Sequence, residues 1–336
     1  MWQTKGHDQA IGFIKRSIET NRISHAYLIS GDSYIGKTTL AFDIAKAINC
    51  FGPGEDYSPC EKCTSCTRII NNTHVDIHVL DFSKPKISPI EQLRKDFLGE
   101  IYKNPYEGSY KIFIISHIDK MRSEHANLLL KTLEEPPSDA VIILISENKM
   151  KILDTILSRC QILDLYPTTD IFLLENTIKT TAVPLSDDLD VELLVKLSRG
   201  RIGWIRRVLF DPDLFFSMQN LLDDLETAVY GSFEERFKFS SKLANNINVV
   251  EGFSDIHIMM TWWRDIMMII LNNETEILNT NRIDVLRDMT NNFNIDQVLE
   301  IIKALDLAKT HLNMNANPLL VYDNLFIDIP IIYVSN

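Results

Sequence analysis

Four short apolar runs punctuate the first half of the chain: Ala26–Ser30, Asp76–Leu80, Tyr110–Ile115 and Val141–Ile145. Each is strand-length, and the last two are apolar but for Lys111, as expected of strands buried on both faces of a parallel sheet. Helical periodicity fills the intervals. Ile11, Ile14 and Ile18 mark a helix within residues 1–25, and Leu40–Ile48 predicts a second that ends near Cys50. Lys84–Arg94 leads into a third, with Ser88 as N-cap, Pro89 in the first turn and Glu91 three residues after the cap. Ala126–Glu135 predicts a fourth, stopped by Pro136-Pro137, and a short helical stretch ends at Ser158-Arg159-Cys160. Pro167 marks a shift, after which only helical patterns remain. Leu193, Leu194 and Leu197 lead to Gly200–Arg207, and farther on Trp262, Trp263, Ile266, Ile269 and Ile270 form one apolar stripe. The pattern predicts an α/β domain over residues 1–165, a small helical domain over 166–210 and a longer helical domain over 211–336.

Composition sharpens this only at a few points. With 336 residues, 45% hydrophobic and 24% charged, the chain has ample material for two or three cores. Its start lacks the apolar region of a secretory leader, and no apolar run approaches the roughly 20 residues that span a bilayer. A cytoplasmic protein without membrane contact is expected. The net charge of −12 argues against a chain that clamps nucleic acid alone, so any DNA contact is local or shared with partner chains.

Between the first strand and the helix after it lies Gly31-Asp-Ser-Tyr-Ile-Gly36-Lys37-Thr38-Thr39. Strand, Gly-x-x-x-x-Gly-Lys-Thr, then helix is the P-loop in its proper context. Gly31 and Gly36 let successive N–H groups turn inward, making an anion cradle with the helix N-terminus. Lys37 would reach the β- and γ-phosphates of a nucleotide, and Thr38 would place a hydroxyl on Mg²⁺, with Thr39 beside it. ATP with Mg²⁺ is the cofactor this predicts.

Four of the five cysteines, Cys50, Cys60, Cys63 and Cys66, follow the P-loop helix in a Gly/Pro-containing loop. In a chain expected to be cytosolic, such clustering favours metal over disulfides. Four thiolates with two consecutive two-residue gaps can close one tetrahedral structural Zn²⁺ and leave no open catalytic position. An iron–sulfur cluster is the alternative that the Cys-x2-Cys-x2-Cys run admits. His7, His25, His74, His78 and His125 are then read as packed or solvated, and Glu134 with Glu135 as serving packing or subunit contact.

A P-loop NTPase is expected to end its third strand in an acid that organises Mg²⁺, followed by a second acid for water. Here Ser116 and His117 stand there, and Asp119 comes three residues late. The loop residue Arg159 is a candidate arginine finger for a neighbouring subunit's phosphate.

His25-Ala-Tyr-Leu before the P-loop, the cysteine knuckle, Asn127–Pro137 and Thr155–Cys160 together resemble the bacterial clamp-loader family of AAA+ proteins. The likeness covers about residues 1–210, and Trp263-Arg264-Asp265 is more weakly similar to the family's collar. It implies a place in a hetero-oligomeric five-subunit ATPase of DNA polymerase III, with gamma/tau and delta subunits, a sliding clamp and primer–template DNA as partners. It further implies that Arg159 acts in trans, that the four cysteines hold zinc, and that residues 166–210 and 211–336 form a lid and an oligomerising collar. Hydrolysing members carry acids where this chain has Ser116 and His117, and a lid arginine that aligns with Gly203. Delta-prime-like members, stators that turn over little ATP, resemble this pattern of loss. Two alternatives stand beside a stator: an ATP-hydrolysing motor subunit of the same assembly, favoured by Lys37 and Thr38, and an unrelated P-loop phosphotransferase, which leaves Ser158-Arg159-Cys160 and the cysteines without a role.

Overall fold

The computed structural model describes residues 1–54, 56–83, 93–181, 190–245, 254–314 and 316–330. The helix start expected at Ser88, Pro89 and Glu91 lies outside these residues. The chain divides into two compact units, Met1–Leu173 with Gly200–Gly203, and Leu174–Arg199 with Trp204–Asn336.

The first unit is built on five parallel strands: β1 (Ala26–Ser30), β2 (Ile77–Asp81), β3 (Lys111–Ser116), β4 (Ala140–Ser146) and β5 (Gln161–Asp164). Their order across the sheet is β2-β3-β4-β1-β5. β1, β3 and β4 are buried along their whole length, while both edge strands keep exposed positions. That is why the central strands are apolar except for Lys111 at the start of β3 and the serines that end all three. Alternation decides which face each residue serves. Leu28, Phe113, Ile115 and Leu144 pack on one side with Phe97, Leu129 and Leu133. Tyr27, Ile29, Ile114 and Ile143 pack on the other with Ile14, Leu40 and Ile44.

Helix α1 (Asp8–Glu19) and the P-loop helix α2 (Lys37–Ile48) supply that second face. Leu40 and Ile44 of α2 are fully buried, each worth about 1.5–3 kcal/mol of apolar transfer. A Leu40→Ala change would cost about 2–5 kcal/mol and loosen the helix that carries the P-loop. Helix α3 (Thr64–Ile70) follows the cysteine loop. A π-helical stretch spans Leu93–Leu98, and a 3₁₀ turn spans Ile118–Lys120. Helix α4 (Ser123–Glu134) begins three residues before the apolar pattern does, because its first turn is polar, and it stops before Pro136 as expected. Helix α5 (Asp154–Leu157) precedes β5. Strand β5 is absent from the hydrophobic pattern: a four-residue edge strand with one buried position gives little signal.

Beyond β5 every element among the described residues is helical, as the pattern predicts, from α6 (Ile171–Thr180) through α7 (Val191–Ser198), α8 (Ile202–Phe210), α9 (Asp213–Tyr230), α10 (Phe233–Asn245), α11 (Asp255–Ile270), α12 (Ile283–Met289) and α13 (Ile295–Asn313) to α14 (Pro318–Asp328), with short 3₁₀ turns. Trp262, Trp263 and Ile266 of α11 are fully buried, whereas Ile269 and Ile270 at its end are half-exposed. Trp263 meets Phe293 edge to face at 5.0 Å. Asp265, also buried, accepts the backbone N–H groups of Leu278 and Asn279, so in Trp263-Arg264-Asp265 the acid serves the fold. Buried Arg236 donates to the carbonyls of Ala228 and Val229 at the end of α9, and to those of Phe326, Ile329 and Pro330 at the end of α14. One guanidinium thereby satisfies helix-end carbonyls that would otherwise be orphaned. No helix among the described residues is long and apolar enough to cross a membrane.

Candidate functional site

The C-terminal ends of β1, β3 and β4 meet at one edge of the sheet, where open α/β sheets keep their ligand chemistry. A cavity of about 330 Å³ opens there, lined among others by Gly36, Lys37, Thr38, Thr39, Ser116 and His117. The two P-loop glycines are needed for different reasons. At Gly31, with φ of 151°, a Cβ would lie 2.4 Å from the Leu165 carbonyl oxygen and from Ile35. At Gly36 there is space, but φ of 103° favours glycine, and this residue starts α2. His7 braces the loop from below, its Nε2 2.7 Å from the Ile35 carbonyl oxygen.

Lys37 is buried, and its Nζ donates to the carbonyls of Gly31 (2.8 Å) and Asp32 (2.6 Å). Burial pulls its pKa below the ordinary lysine value, while Glu147, Asp32 and Asp119 push it up. Ser33 donates to Glu147 at 2.7 Å, closing the P-loop onto the end of β4. Arg201 Nη2 sits 3.3 Å from Asp32 Oδ2. A curved backbone, a helix N-terminus, a buried ammonium and a threonine hydroxyl can together cradle a chain of phosphates.

At the end of β3, Ser116 is buried and His117 adopts a left-handed conformation, φ 57° and ψ 44°. The His117 Nδ1 lies 2.7 Å from Asp81 Oδ1 at the end of β2. Burial pushes the Asp81 carboxyl up, but the Ser83 N–H, the Ser83 hydroxyl and His117 outweigh it and hold the group below its usual value. Asp119 turns toward β4, where it accepts from the Ser146 hydroxyl at 3.1 Å and the Glu147 N–H at 3.2 Å. Gly203 N donates to the Tyr34 carbonyl at 2.8 Å, and a Cβ there would come within 2.6 Å of that oxygen. The backbone of α8's first turn therefore touches the P-loop directly where a side chain would otherwise stand.

The four cysteine sulfurs form one group within 4.8 Å of one another. A tetrahedral Zn²⁺ with bonds of about 2.3 Å places its sulfurs about 3.8 Å apart, so the set fits such an ion with a small contraction. The backbone supports it: the N–H of Cys60 points at Cys50 Sγ, that of Cys63 at Cys60 Sγ, and that of Cys66 at Cys63 Sγ, at 3.3, 3.3 and 3.4 Å. Backbone hydrogen bonds from Lys62 and Cys63 lower the Cys60 thiol to about 6, whereas burial pushes Cys66 and Cys50 up. Neighbouring contacts bind this loop to α2. Lys46 pairs with Asp43 at 2.8 Å and Glu61 at 3.2 Å, and Asp43 accepts from the backbone of Gln3 and Thr4. Cys160 stands apart, its thiol pushed up to about 12 by burial.

Arg159 follows α5 and is half-exposed. Its Nη1 donates to the Thr155 carbonyl at 2.8 Å, and its Nη2 to Glu134 Oε1 at 2.8 Å. It does not reach the pocket of its own chain in these contacts. The ties that sequence reasoning missed are Asp81 to His117, Ser33 to Glu147 and Glu134 to Arg159. Each joins residues distant in the chain, and no local pattern announces them.

Residues 6–169 match the family described as "DNA polymerase III, delta subunit". DNA polymerase III subunit delta' of Bacillus subtilis is 42% identical over 153 residues, 45% of this chain and 45% of that protein. DNA polymerase III subunit tau/gamma of Haemophilus influenzae is 30% identical over 217 residues, 63% of this chain and 30% of that protein. The chain spans about half or less of the length of these curated relatives. A DNA polymerase III gamma-subunit-related protein from Thermotoga maritima shares the fold, with a TM-score of 0.50 over 95% of this chain and 97% of that one at 18% identity. The half of the chain that carries the P-loop, the cysteines and Arg159 is thus similar in sequence to DNA polymerase III subunit delta' and, at lower identity, to the tau/gamma subunits.

Proposed function

We propose that this protein is the stator of a DNA polymerase III clamp loader. It stands among gamma/tau and delta subunits, helps open a sliding clamp onto primer–template DNA, and lends Arg159 to ATP held by the adjacent subunit. Its own P-loop binds nucleotide and hydrolyses it weakly or not at all. In this reading residues 166–210 are a lid, residues 211–336 are the collar, and the four cysteines hold a structural zinc. The whole works in the cytoplasm, and DNA is met through the assembly, in keeping with a net charge of −12.

The observation that carries the reading is a contrast inside one domain. The guanidinium of Arg159 lies at the surface, while the phosphate pocket ends in Ser116 and His117 and meets backbone at Gly203. The test is reconstitution with the partner subunits and clamp. Arg159→Ala should leave this chain folded yet lower ATPase turnover and clamp loading by the assembly. Unchanged activity would refute the role in trans.

The intact Lys37 and Thr38, and the likeness to tau/gamma sequences, favour a second reading as a hydrolysing motor subunit. ATP turnover by the isolated chain at the rate of a motor subunit would establish it in place of the first.

A further inference from the structure

A hard divalent ion beside a nucleotide needs oxygen ligands, carboxylates above all. Around this pocket the described carboxylates are already committed. Asp81 accepts from Ser83 and pairs with His117. Asp119 accepts from Ser146 and the Glu147 backbone, Glu147 accepts from Ser33, and Asp32 pairs with Arg201. The strand end that lines the cavity presents the Ser116 hydroxyl and the His117 imidazole instead. The end of β3 thus offers Mg²⁺ a hydroxyl and an imidazole and no carboxylate, a poor donor set for a hard ion even beside the Thr38 hydroxyl.

His117 has the marks of a placed residue. A non-glycine residue in the left-handed region is uncommon, costs about 1–2 kcal/mol, and persists where surroundings fix it. Here Asp81 fixes it through Nδ1, from a neighbouring strand whose own Asp81 is held by the Ser83 turn. A histidine oriented through one ring nitrogen has its other nitrogen set in direction and tautomer.

We propose that this chain binds the phosphates of a nucleoside triphosphate without a divalent ion, with His117 as a phosphate-binding residue where an acid-held metal would stand and Asp81 as the residue that positions it. The proposal rests on the nucleotide-binding reading above. Because its Nδ1–H is given to Asp81, His117 donates to a phosphate only as the imidazolium, through Nε2–H, and in that form it adds to the hydrogen bonds of Lys37 and the P-loop amides. Binding without the metal also leaves nothing to activate the γ-phosphate, which fits a stator.

The test is ATP affinity of the full-length chain by calorimetry, with magnesium omitted and then added, so that the cysteine cluster is never exposed to a chelator. Affinities with and without magnesium should agree within about threefold. His117→Ala should weaken binding roughly tenfold or more under both conditions, the worth of one hydrogen bond to a charged group. Asp81→Asn, which keeps an acceptor for Nδ1, should bind within about threefold of the parent, while Asp81→Ala should fall roughly as far as His117→Ala. Circular dichroism establishes that each variant is folded. A tenfold or greater gain from magnesium, or unchanged affinity in a folded His117→Ala, overturns the metal-free site and leaves nucleotide binding standing. Absence of ATP binding under both conditions overturns the nucleotide reading and this proposal with it.

Discussion

Arg159 is held by Glu134 of its own chain, Nη2 to Oε1 at 2.8 Å across 25 residues of sequence. Glu134 is the last residue of α4, ahead of Pro136-Pro137, and Arg159 follows the short α5. The double proline ends the helix where its final carboxylate meets the loop carrying the arginine. The side chains are 50% and 34% exposed, so the pair is solvated and weak. If Arg159 acts in trans as proposed, it must be positioned before the partner arrives yet released cheaply.

Glu134→Ala should therefore free the guanidinium at little cost. Exposed ion pairs contribute about 0.2–1 kcal/mol, so urea unfolding of the isolated chain should shift by no more than that. ATPase turnover of the reconstituted assembly should hold or rise by up to about fivefold, the same energy read as availability of Arg159. A loss of turnover as deep as that of Arg159→Ala would show that Glu134 works alongside the arginine and is no mere resting partner.

Replacing Gly203 with arginine should fail to create a working ATPase. The added Cβ meets the Tyr34 carbonyl oxygen at 2.6 Å, a backbone atom that cannot swing aside. Overpacking of this kind costs about 1–3 kcal/mol, so Gly203→Arg should lower the thermal midpoint and leave turnover at the parent's level. Turnover rising to that of a motor subunit would mean that the loss of the arginine alone silenced the site.

How much of this was legible beforehand differs between strand and tie. The central strands declare themselves because both faces of β1, β3 and β4 are buried, so nearly every position is apolar. The edge strand β5 does not, since only Leu163 is buried in it. The P-loop and the cysteine group were readable because glycine dihedrals and thiolate geometry demand fixed spacings. The His117–Asp81 pair was not, because its two halves are neighbours only through the sheet register that sets Asp81 beside Ser116. The loss of acids at β3 could be read in the sequence. That Asp81 holds the histidine standing in their place could be seen only in the fold.

The cysteine group predicts one zinc per chain, since four thiolates close one tetrahedral site. Elemental analysis of the purified protein checks the number. Cys66→Ser, at the buried ligand, should abolish retention and lower the thermal midpoint more than Cys60→Ser, which alters a half-exposed one. Metal removal should also loosen the tie between Lys46 and Glu61, because Glu61 adjoins Cys60 in the same loop. Two irons with visible absorbance would place the iron–sulfur alternative there instead.

Asp255, the first residue of α11, is half-buried, and burial alone raises its carboxyl from 3.8 to about 6. Burial and then Asp255 also push up the Tyr322 phenol. Between pH 4 and 6 the folded chain holds a proton there that the unfolded chain has released, so the slope of unfolding free energy with pH is negative. This group's contribution is favourable below pH 4, where both states are protonated, and is lost as pH rises through about 6. Asp255→Asn removes the penalty. It should stabilise the protein at pH 7 by about 1–2 kcal/mol after allowance for solvent exposure, and leave stability at pH 4 nearly unchanged. Urea midpoints of parent and variant measured across that window decide it. Parallel curves, with no convergence toward pH 4, would mean that Asp255 titrates as an ordinary exposed carboxylate.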